Sequence, residues 1–174
     1  MHLLHLLLLS SPFWTTNALS INETRTYLTA PALVTINNRT AIQCWRLLTP
    51  FVTSLTPGTT GASALTLTNV TDFGYTILPP RFNGGQHTAP APQMVHFVSG
   101  LAHVTLPHDE SGELWLLGGK GGLLFATDTT GEGHVTTYPG DEPTVGILAP
   151  FEGGVVPEYE VVKEGGCEGV QTFV

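Results

Sequence analysis

Residues 84–107 read GGQHTAPAPQMVHFVSGLAHVTLP, and this stretch decides the fold. Past the proline-broken turn 88–92, side chains alternate, as they do in a strand, where successive residues point to opposite faces. Gln93, Val95, Phe97 and Ser99 fall on one side, and His96 on the other. Gly100 then bends the chain before a second strand-like run, AHVTLP (102–107). A bulge at such a bend can reverse the alternation, so the face of His103 stays open. His87 stands just before the turn.

The same texture continues on both sides. ALVTI (32–36), PFVTSL (50–55), SALTLTNVT (63–71) and YTILP (75–79) precede the stretch, all β-branched or alternating. ELWLL (113–117), LLFATD (123–128), HVTTYP (134–139), TVGILAPF (144–151) and EYEVV (158–162) follow it. Turn clusters such as TPGTTG, HDESG, TTGEG and PGDEP separate these runs. Only RTAIQCWRLL (39–48) has a helical look, ended by Pro50. Short strands spaced by glycine- and proline-rich turns predict an all-β sandwich or barrel with an interior able to enclose a small ligand.

A chain of 174 residues with no visible repeat fits one domain. Fourteen acids against 6 bases give a formal charge of −8, which repels a phosphate backbone, and no basic cluster offers a grip on an anionic membrane. The start, MHLLHLLLLSSPFWTTNALS, has the short apolar core of a secretory signal, with cleavage expected after Ala18. Residues 19–174 then form the single domain, with N- and C-terminal arms. Sequons at Asn22, Asn38 and Asn69 agree with export. In an oxidising compartment Cys44 and Cys167 are most simply a disulfide tying the two ends together.

The spacing carries a further signal. His87-Thr88-Ala89, Gln93 and Gly100 reproduce the spacing of the first cupin motif, and Gly133, Pro139 and Thr144 that of the second. The chain therefore resembles the cupin superfamily. Through GGQHTAPAPQMVHFVSGLAHVTLP and GHVTTYPGDEPTVGILAPF it is similar, more narrowly, to small secreted cupin-like proteins of filamentous fungi. The resemblance implies a double-stranded β-helix, an antiparallel jelly-roll barrel. In that fold two histidines, a carboxylate and a later histidine hold a divalent ion. Here Ala89 stands at the second histidine position, Gln93 at the carboxylate, Thr144 at the later histidine and Leu148 at the final asparagine. One imidazole and one neutral amide supply neither the charge nor the ligand count of a metal site. His103 or His134 remain as replacement ligands whose facing the spacing does not fix.

The expected site is thus cofactor-free and metal-free. His87 acts as a general acid/base in an apolar pouch, Gln93 binds a substrate carbonyl or orients the ring, and Tyr138 and Thr144 add a phenol and a hydroxyl. The bland alternative has His87 only pinning the turn. GGKGG (118–122) lacks the spacing of a phosphate loop and reads as a hairpin turn. Trp45 reads as packing near the disulfide. The resemblance permits a tailoring enzyme of fungal natural-product metabolism, an isomerase, dehydratase or cyclase acting on a small apolar, carbonyl-bearing compound. Two alternatives stand beside it: a secreted binding or structural protein without turnover, and a metal-dependent oxidoreductase with unorthodox ligands.

Overall fold

The structure, a computed structural model, describes residues 25–168. The expected signal segment 1–18 and the Asn22 sequon lie outside the described residues. No helix among the described residues is long and apolar enough to cross a membrane.

The fold is all-β. One sheet runs in the order β13 (Tyr159–Glu164), β2 (Arg39–Pro50), β1 (Tyr27–Ile36), β10 (Leu123–Ala126), β7 (Gln93–Ser99), β12 (Thr144–Pro150) and β5 (Gly74–Leu78). The other runs β6 (Phe82–His87), β11 (His134–Tyr138), β8 (Leu101–Leu106) and β9 (Asp109–Leu117). A two-residue ribbon, β3 (Val52–Thr53) with β4 (Ser63–Ala64), stands apart. Neighbours pair antiparallel except β1 and β10, which run parallel through Ala32–Phe125 and Leu33–Ala126.

Both faces of the large sheet are covered over β1, β2 and β10. Leu33, Ile42, Val95, Phe97 and Leu124 meet Val104, Leu106, Leu114 and Leu116 of the small sheet. On the far face Ala30, Trp45, Leu47 and Phe125 are capped by Phe51, Leu65, Leu67 and Phe151. Trp45 is fully buried, stacked on Tyr159 with ring centres 3.5 Å apart. The sheet therefore has no watery side at β1, β2 and β10, and β10 reads as the unbroken apolar run LLFA.

Double burial also corrects the one expected helix. Residues 39–48 lie within strand β2, not a helix. Ile42 points to one core and Trp45 and Leu47 to the other, so the alternation that marks a half-buried strand is absent. Asn37 and Asn38 make the turn into it with φ of 50° and 64°, the left-handed pair a two-residue hairpin needs. SALTLTNVT is a strand only at Ser63–Ala64, because Leu65 and Leu67 serve as caps on the second core. PFVTSL likewise shrinks to Val52–Thr53. GGKGG is no hairpin: it carries the chain from β9 in one sheet to β10 in the other. A Cβ on its Gly122 would lie 2.1 Å from the Phe97 carbonyl oxygen, so only glycine permits that crossing.

Cys44 of β2 and Cys167 form a disulfide across 123 residues, with Cα atoms 4.8 Å apart. The bond secures the segment after β13 to the strand beside it. The Asn38 and Asn69 side chains are exposed, and Asn69 Nδ2 donates to Glu152 at 3.0 Å.

Candidate functional site

Strand β11 builds the site. Its alternation turns His134, Thr136 and Tyr138 toward the space between the sheets. Strand β6 pairs with it so that His87 lies opposite His134. That register depends on Gly133 (φ +71°), where a Cβ would sit 2.2 Å from the His87 carbonyl oxygen. Strand β6 is not expected from sequence, since FNGGQH looks like a turn. It pairs through an irregularity between Thr136 and Thr137, where Gly85 adopts φ of 68°.

Between β6 and β11 on one side and β5, β12, β7 and β10 on the other lies a cavity of about 170 Å³. Leu78, Val95, Phe97, Val104, Leu124 and Leu148 make it apolar, and His87, Gln93, His134, Thr136 and Tyr138 bring polar groups to it. The structure thus gathers three of the four expected residues, His87, Gln93 and Tyr138. The fourth is elsewhere. Thr144 is buried beneath the Gly100 bend, its hydroxyl accepting from Leu101 N at 3.1 Å and lying 3.3 Å from Leu101 O. It braces a turn and does not line the cavity.

His87 is exposed, its Nδ1 3.0 Å from its own neighbour's carbonyl, Gly85 O. Its ring centre is 4.5 Å from that of His134. His134 is the more enclosed of the two, 5% exposed, and its Nδ1 lies 2.7 Å from Asp128 Oδ2. Asp128 is wholly buried, and the same oxygen accepts the Thr40 hydroxyl at 2.8 Å. Asp128 Oδ1 is buried with no hydrogen-bond partner among the described residues. Gln93 is 5% exposed and lines the cavity. Burial pushes the Tyr138 phenol above its ordinary range, because a phenolate there would lose its hydration.

Asp128 and Thr40 were missed by sequence reasoning, and His134 entered only as an undecided ligand. Part of the signal was present. His134, Thr136 and Tyr138 sit at i, i+2 and i+4 of a strand, and Asp128 closes an apolar run where a charge needs a partner.

The other described histidines stay out of the cavity. His96 takes the face of β7 opposite Gln93, with Nε2 2.9 Å from Gly119 O. His103 stacks on Trp115, ring centres 3.8 Å apart, and reaches Glu113 at 2.7 Å. Among the described residues no three His, Cys, Asp or Glu side chains are grouped to hold a metal. The positions at which a cupin-type set is expected offer His87, a methyl at Ala89, an amide at Gln93 and a hydroxyl spent on Leu101. This donor set does not fit a divalent ion. Comparison with protein-family models, curated proteins and solved structures finds no match.

Proposed function

We propose that the protein is an exported cupin-like jelly roll that binds a small, neutral, carbonyl-bearing compound and moves a proton on it without redox chemistry. The pairing order supports the jelly-roll reading. Strands β5 to β12 divide between the sheets as β5-β12-β7-β10 and β6-β11-β8-β9, with β8 and β9 as the closing hairpin, the interleaving produced when one long hairpin is rolled up. Strands β1, β2 and β13 are then additions at one edge. The disulfide agrees with an oxidising compartment.

One observation carries the functional reading: two imidazoles, an amide and a phenol converge on one small apolar cavity. Apolar pockets with a few convergent polar groups are the usual form of small-molecule sites. An apolar cavity of about 150 Å³ holds benzene, so 170 Å³ matches a single six-membered ring. The reaction class is isomerisation, dehydration or cyclisation, as in a tailoring step of fungal natural-product metabolism.

The bond between His87 Nδ1 and Gly85 O favours a second reading, capture of the ligand with no turnover and His87 serving the turn. Ligand-observed NMR with cyclohexanone tests what both share. Saturation transfer from the protein is expected, and its disappearance in Ala126→Leu, which fills the cavity floor, locates it. Absence of any transfer to the ring in the unaltered protein overturns the cavity reading.

A further inference from the structure

We infer that His134, held by Asp128, is the base that takes an α-proton from a neutral single-ring ketone whose carbonyl oxygen is bound by the Gln93 amide. The inference rests on the reading of the cavity as a small-molecule site, and adds to it the working residues and the substrate class.

The base is identified by its partner. An ionised carboxylate only accepts hydrogen bonds, so the 2.7 Å contact of Asp128 Oδ2 places the hydrogen of His134 on Nδ1. Nε2 then carries the lone pair, on a side chain that lines the cavity. A buried carboxylate fixing the tautomer and angle of an imidazole is the orienting arrangement that recurs behind histidine bases. Thr40, donating to the same oxygen at 2.8 Å, holds the carboxylate in turn. His87 lacks such an orienter. It sits exposed beside His134, ring centres 4.5 Å apart, where it can exchange protons with solvent.

The substrate class follows from Gln93. Its side chain lines the cavity, where the amide NH₂ group can donate to a ligand carbonyl oxygen. No Lys or Arg lines the cavity, so a carboxylate or phosphate ligand would enter without a counter-charge. The ligand is therefore neutral. Tyr138 lines the same space, and its burial keeps the phenol protonated and able to donate to a developing oxyanion.

The step balances without a co-reactant. The C–H bond next to the carbonyl breaks and its proton passes to Nε2. Its electron pair forms the C=C bond, and the carbonyl π pair moves to oxygen, which Gln93 and Tyr138 stabilise as enolate. Return of a proton to the same carbon gives exchange. Return to a conjugated carbon gives a shifted double bond.

Cyclohexanone in D₂O is the probe, with loss of its α-proton signals followed by NMR. The protein is expected to speed exchange about 100-fold or more over buffer. His134→Gln should abolish the acceleration and His87→Ala should reduce it less; the reverse order overturns the assignment. Asp128→Asn should lower kcat about 100-fold with KM unchanged, the mark of a positioning residue acting through the imidazole. Long-range ¹⁵N–¹H NMR of the unaltered protein needs no variant to fold: it should show His134 protonated at Nδ1, and the Nε2–H tautomer overturns the inference. Saturation transfer to cyclohexanone without exchange refutes the base assignment and leaves the cavity reading standing. Failure to bind removes both.

Discussion

The space between the two sheets has a filled end and a hollow end, set on largely different strands. At the filled end Leu33, Ile42, Leu106, Leu114 and Leu116 interlock. At the hollow end the inward positions are held by Ala89, Ala126, Gly146, Gln93, Thr136 and two histidines. Strand β8 reaches both ends, with Leu106 in the filled cluster and Val104 on the cavity wall. Side-chain size opens the cavity: short residues on facing strands leave a volume that neither sheet can collapse into. The filled end supplies the stability that the hollow end forgoes.

Each of four measurements breaks or sharpens that contrast. Replacing Cys44 and Cys167 by serine frees a loop of 123 residues and should lower the unfolding free energy by about 4–5 kcal/mol, read from denaturant midpoints. A far smaller loss would mean that β13 holds to β2 without the bond. Leu33→Ala, at the filled end and fully buried, should cost about 2–5 kcal/mol while saturation transfer to cyclohexanone persists. Ala126→Leu, at the hollow end, should act the other way, raising stability by about 0.5–2 kcal/mol as a cavity-filling change while excluding the ligand. A loss of more than 2 kcal/mol there would show the hollow end to be packed after all.

The smallest effect is on pH dependence. Tyr138 is raised above its usual value by burial, so the folded state holds a proton that the unfolded state releases. Its contribution to stability is complete below about pH 10 and is lost as pH climbs through the higher folded value. Phenolate absorbance should show one late ionisation, absent in Tyr138→Phe. If that step stays in the variant, the phenol is not the one shielded by the cavity.

What the sequence revealed follows the same division. Strands with one dry and one wet face, such as 93–99 and 134–138, declared themselves by alternation. Strand β2 did not, because both its faces are buried, and β6 did not, because its glycines look like a turn until β11 is beside it. Spacing and alternation are local, so they suffice to bring His87, Gln93 and Tyr138 to one cavity. The pairing of Asp128 with His134 is not local in this sense, even though only six positions separate them. The chain leaves the large sheet after Ala126 and enters the small one at His134, so their contact exists only once the two sheets face each other. Thr144 was misplaced for a related reason: spacing put it in the right strand, and the Gly100 bend took its hydroxyl.

Thr40 is both the third residue of the Asn38 sequon and the donor to Asp128. Its hydroxyl is sealed in the finished fold, with the residue 0% exposed. A transferase that reads the sequon needs that hydroxyl within reach, so any glycan on Asn38 is added to the nascent chain, before the hairpin closes. Where Asn38 carries a sugar, its attachment thereby precedes the contact of Thr40 with Asp128.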